Sequence, residues 1–70
     1  MRYESENGYI GYFTKDNFFG YVHWDLTIKH RDSKGMIYHA EYETEITLQE
    51  LKEFVDNFPE FLEEIRRLQK

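Results

Sequence analysis

The residues whose types and spacing could do chemistry are few. Glu41, Glu43 and Glu45 recur at every second position, and His23 and Asp25 stand two apart. In an extended chain, side chains alternate between faces, so each set points one way. If the two segments are neighbouring strands, His23, Asp25, Glu43 and Glu45 gather into one carboxylate-rich corner containing an imidazole. Oxygen and imidazole ligands suit several divalent metals, and this corner is the candidate for one. No loop of recognised ligand spacing supports it. Charged residues are exposed by default, so a solvated acidic face with no metal and no cofactor is the simpler expectation. The same residues, Asp25, Glu41, Glu43 and Glu45, could also meet a basic partner, which would relieve their mutual repulsion on binding.

Catalysis has little support. There is no cysteine nucleophile, and Ser5 and Ser33 lie in an end segment and a turn with no oriented histidine expected nearby. Gly8, Gly11 and Gly20 are scattered over strand positions, and Gly35 serves a turn, so no glycine-rich phosphate loop exists. A 70-residue chain with one core layer offers little depth for a cleft. The expectation is a protein that is not an enzyme.

The elements that would position these residues follow from hydrophobic periodicity. Between Phe18 and Arg31, Val22, Trp24, Leu26 and Ile28 alternate with Tyr21, His23, Asp25, Thr27, Lys29 and Arg31. This predicts a long central strand with one core face and one mixed face. Residues 9–14 read as a preceding strand. Asp16-Asn17 suits a two-residue hairpin loop, which sets Tyr9 opposite Trp24 and Gly11 opposite Val22. Gly11 marks either a bulge or a close approach. Asp32-Ser33-Lys34-Gly35 suits a type I turn ending in a left-handed glycine, a three-residue loop with a bulge. It sets Ile28 opposite Ala40 and Asp25 opposite Glu43. Both turns place apolar residues on one face. Residues 2–7 read as a frayed end or a short edge strand.

Thr47-Leu48-Gln49-Glu50 has the form of a capping box, followed by an apolar stripe of Leu48, Leu51, Phe54, Val55 and Phe58 at helical spacing. Pro59 interrupts it, and Phe61, Leu62, Ile65 and Leu68 continue. Glu60, Glu63 and Glu64 precede Arg66, Arg67 and Lys70, the order that the helix dipole favours. The expected fold is α+β, a single domain over residues 1–70. It has a three-stranded antiparallel meander (about 9–14, 18–31 and 36–46) and a C-terminal helix, or two helices broken near Pro59, packed on one face.

The uncovered face then carries Ile10, Tyr12, Phe19 and Tyr21, a patch of the kind that marks a partner or dimer site. Acidic residues outnumber basic ones 14 to 9, giving a net charge of −5, which disfavours phosphate-binding surfaces and favours a basic partner. The expected role is a small acidic protein-interaction or regulatory module, a homodimer or an inhibitor of a basic partner. No apolar run approaches a membrane span, the first residues lack a signal-peptide core, and the absence of cysteine fits a reducing compartment. Membrane association is not expected, and a cytoplasmic location is. An alternative rests on a resemblance. Gly8-Tyr9-Ile10-Gly11-Tyr12-Phe13 and Phe19-Gly20-Tyr21-Val22-His23-Trp24 resemble the paired aromatic strands of cold-shock domains, which stack single-stranded nucleic-acid bases on such rings. The resemblance covers residues 8–24, after which helices replace the remaining barrel strands. The acidic balance removes the electrostatic term that dominates such binding.

Overall fold

Four antiparallel strands form one sheet in sequence order: β1 (Arg2–Glu4), β2 (Tyr9–Phe18), β3 (Tyr21–His30) and β4 (Tyr38–Tyr42). Two helices, α1 (Leu48–Asp56) and α2 (Phe58–Leu68), follow and pack on one face. The computed structural model describes residues 1–69; Lys70, expected at the basic end of the last helix, lies outside them.

The α+β architecture is as the periodicity predicts, but the sheet has four strands rather than three. The added strand is the polar N-terminal segment, which pairs Arg2 with Tyr12, Tyr3 with Gly11 and Glu4 with Ile10. Its attachment comes from side chains that reach α1. Tyr3 Oη and Ser5 Oγ both donate to Asp56 Oδ1, at 2.7 and 2.6 Å. Ser5 is buried.

The hairpin register differs from the expected one. Its two-residue loop is Phe19-Gly20, with φ of +50° and +83°, and Lys15, Asp16 and Asn17 belong to β2. Tyr9 therefore pairs with His30 instead of Trp24, six positions further along. An even shift leaves every side chain on its expected face. Moving the loop lets all ten residues of β2 pair with all ten of β3. The Asp16-Asn17 turn would have left much of β3 without that neighbour. The second hairpin is also shifted. Ile28 pairs with Tyr38, Leu26 with Ala40 and Asp25 with Glu41, a two-residue slip from the expected ladder. Gly35 does take the left-handed conformation, but pairing resumes only at Tyr38, so the loop is longer than a three-residue turn.

The core is Phe13, Leu26, Ile28, Leu51, Val55 and Phe58, ringed by partly buried Tyr9, Trp24, Tyr38, Tyr42, Phe54, Phe61 and Leu62. Leu48 and Leu68, expected in the helical stripes, are exposed instead. They are the first residue of α1 and the last of α2. The capping box forms as expected. Thr47 Oγ1 accepts from the Glu50 N–H at 3.1 Å, and Glu50 Oε1 accepts from the Thr47 N–H at 2.9 Å.

The chain breaks into two helices at Asn57, two residues before Pro59. Proline has no N–H, so the Val55 carbonyl loses the donor four residues ahead. The Asn7 side-chain amide takes that place, donating to Val55 O at 3.0 Å and Asp56 O at 3.2 Å. Asn7 Oδ1 meanwhile accepts from the Tyr9 N–H at 2.9 Å. One asparagine ties the β1–β2 turn to the helix break.

Hydrogen bonds from Ser5, and then from Tyr3, hold the Asp56 carboxyl below the usual carboxylate range. A folded-state pKa below the unfolded value contributes stability above the unfolded pKa, and that contribution is lost as pH falls through the folded one. Melting temperature is expected to fall on acidification below about pH 4. Asp56→Asn should flatten that dependence, while Glu50, lowered by Thr47, keeps a residual slope. Thermal melts at stepped pH provide the check; an identical slope in the variant would remove Asp56 from the account.

Candidate functional site

The sheet outruns its helices. The helices cover residues 9–13 of β2 and the far half of β3, where Leu26 and Ile28 are fully buried. From Thr14 to Val22 every residue is exposed. The β2–β3 hairpin thus projects as an arm. At its tip Phe18, Phe19 and Tyr21 are 62, 88 and 77% exposed. The Phe18 and Phe19 rings meet edge to face at 4.5 Å.

Phe19 has a left-handed backbone, a conformation that costs a bulky L-residue roughly 1–2 kcal/mol. Two-residue loops with positive φ at both positions favour Asn-Gly or Asp-Gly. Gly20 meets that demand and Phe19 does not. Nor does packing against the rest of the fold offset the cost, since Phe19 is almost wholly in solvent. A large apolar ring is held outward at an energetic penalty.

The face opposite the helices carries the polar groups. Asp16 lies directly across from His23, and Asp25 across from Glu41. His23 Nε2 stands 3.8 Å from Asp16 Oδ2 and 3.6 Å from Asp25 Oδ2. The other Asp25 oxygen faces His39 Nε2 at 3.1 Å. A row Asp16, His23, Asp25, His39, Glu41 therefore crosses three strands just behind the aromatic tip.

The residues expected to act together are only partly assembled. Ile10 and Tyr12 lie at one end of the sheet, Phe19 and Tyr21 at the other, roughly 20 Å away at ~3.3 Å per residue. Ile10 is buried, and the Tyr12 ring lies between the Arg2 guanidinium at 5.8 Å and the Lys29 ammonium at 5.7 Å. The six-position register shift separates them. Of the acidic set, Asp25 and Glu41 are neighbours, but Glu43 and Glu45 follow the end of β4. There the chain leaves the sheet to cross over to α1. Glu45 lines an open pocket of about 400 Å³ with Met1, Phe13, Thr14, Lys15 and Trp24. Phe13, Lys15 and Trp24 lie on the helix-bearing face, so the expected three-carboxylate ladder does not form. In the candidate metal corner His23 and Asp25 do meet, with Asp16 replacing Glu43 and Glu45. His30 and His39 both have side-chain partners: His30 meets Tyr9 edge-on at 4.8 Å, and His39 bonds Asp25.

Phe18, Asp16 and His39 join the site only through the register of the assembled sheet. The Phe-Phe-Gly run was the available signal for the tip. Of the rings in the two segments that resemble cold-shock strands, Phe19 and Tyr21 stand exposed at the tip, whereas Tyr9 and Phe13 are taken up by the fold. Tyr9 packs against Phe58 at 4.9 Å, and Phe13 is buried in the core. No helix among the described residues is long and apolar enough to cross a membrane. Comparison with protein-family models, with curated proteins and with solved structures gives no match to this chain.

Proposed function

We propose that this domain is a non-catalytic protein-interaction module that inserts its hairpin tip, Phe18, Phe19 and Tyr21, into an apolar pocket rimmed by basic groups on a partner protein. The observation that carries the reading is Phe19, 88% exposed in a left-handed conformation that disfavours it. Backbone strain at an exposed aromatic residue is a feature of recognition sites rather than of folding. Buried aromatic anchors dominate binding energy at protein interfaces. The carboxylates behind the tip, Asp16, Asp25 and Glu41, supply the acidic half of a charge-complementary rim. They also argue against an anionic membrane as the occupant, because like charges would approach together. A convex arm suits docking rather than chemistry, which needs a concave, water-excluding site.

The experiment places a photo-crosslinking amino acid at Tyr21 in cells, identifies the captured protein, and measures its affinity for the purified wild-type and Phe19→Asn domains. Phe19→Asn is expected to weaken binding about tenfold, ~1.4 kcal/mol, while raising the melting temperature, since asparagine suits this loop position. Equal affinity for the two domains would overturn the reading. So would capture of nothing but a second copy of this chain, which would make the tip a dimer contact.

A further inference from the structure

We infer that Asp16, His23 and Asp25, two of which also belong to the acidic rim proposed above, form a binding site for a divalent transition-metal ion of the zinc class. Asp16 and His23 are directly paired across β2 and β3, and Asp25 lies two residues along β3 on the same face, so the strands hold all three in place before any ligand arrives. One nitrogen and two carboxylate oxygens lie within 4.8 Å of one another. The two His23 separations, 3.8 and 3.6 Å, are too long for hydrogen bonds. They are close to the spacing of two ligands around a tetrahedral ion, roughly 3.4 Å for bonds of about 2.1 Å. A contraction of a few tenths of an ångström brings both His23 separations to that spacing, and the two carboxylate oxygens, within 4.8 Å of each other, close on the same ion by side-chain torsion, leaving the fourth position to water.

Two further observations support the assignment. Asp25 is held from behind, because its second oxygen engages His39 Nε2 at 3.1 Å; ligating carboxylates are commonly oriented by such outer partners. The two carboxylates also stand together without a neutralising lysine or arginine. Among the described residues the arginine ion pairs are Arg2 with Glu4 and Arg67 with Glu63. Lys15 and Lys29 lie over Trp24 and Tyr12. A cation between Asp16 and Asp25 would relieve their repulsion. A mixed imidazole and carboxylate set favours zinc, nickel or copper over calcium, which takes oxygen ligands in larger number.

The test is calorimetric titration of the full chain with Zn²⁺, and visible absorption with Co²⁺ as the spectroscopic probe. One equivalent is expected per chain, with a tetrahedral Co²⁺ spectrum and a raised melting temperature. His23→Gln should weaken Zn²⁺ binding at least tenfold with unchanged circular dichroism, and Asp16→Asn should do the same. His39→Gln should weaken it less, because that ring acts through Asp25. No saturable binding at millimolar Zn²⁺ would overturn the assignment. Binding that His23→Gln leaves intact would do so as well, as would a loss confined to His39→Gln, which would move the ion to the neighbouring Asp25, His39 and Glu41.

Discussion

Phe58→Ala is expected to leave the chain largely unfolded at room temperature. Phe58 is completely buried and sits where both helices meet the sheet. Its ring centroid lies 4.9 Å from Tyr9, 5.7 Å from Tyr38, 5.8 Å from Phe54 and 6.0 Å from Phe61. Removing such a ring costs about 3–5 kcal/mol in lost transfer energy and residual cavity. A core of this size rarely supplies more than roughly 3–5 kcal/mol of net stability. The two magnitudes are equal, so one truncation spends the whole margin. Phe58→Leu keeps most of the apolar volume and should remain folded with a lowered melting temperature. Circular dichroism and urea unfolding of the two variants check this. A cooperative melt for Phe58→Ala close to that of the wild type would show that the aromatic ring cluster is not what holds the helices down.

Gly11→Val is expected to destabilise by about 3 kcal/mol, at the upper end of overpacking costs. A Cβ on Gly11 would stand 2.6 Å from Val55 Cγ2 and 3.0 Å from Leu51 Cδ1. Both neighbours are fully buried core side chains, so α1 would have to lift from β2. Gly11→Ala should cost less, about 1–2 kcal/mol, because its added methyl is smaller and the lost flexibility of the unfolded chain partly offsets the clash. Val55→Ala made together with Gly11→Ala should recover part of that loss, since the two positions compete for one volume. Urea midpoints for the four chains measure the coupling. Strict additivity would mean that the close approach is not the source of the effect.

Gly11 also illustrates where reading the residues stops. A glycine inside a strand marks either a bulge or a close approach. The ladder runs through Tyr3, Gly11 and Ile28 without a bulge, and the neighbours that need the space, Leu51 and Val55, lie on a helix far along the chain. No local pattern announces that contact. The tip is a similar case. Asp16-Asn17 has better turn chemistry than Phe19-Gly20, yet the loop forms at the latter, because the longer ladder and the fit of Gly11 under α1 outweigh a strained phenylalanine. The candidate site depends on this outcome. With the loop three positions earlier, Phe19 and Tyr21 would lie within a strand, and Asp16 would not face His23.

The alternation of apolar and polar residues was enough to determine which side chains face the helices, because that choice has period two and is made residue by residue. The capping box and the proline interruption are equally local, and both elements appear where their residues stand. Which residue lies opposite which was decided only in the assembled sheet. Slips of two or six positions preserve every face, so the apolar pattern is blind to them. Hydrogen-bond count along the ladder and steric room beneath α1 made the selection. Side-chain hydrogen bonds from Tyr3, Ser5 and Asn7 to α1 hold the polar N-terminal segment as a fourth strand, and the long ladder leaves the hairpin tip standing clear of the core.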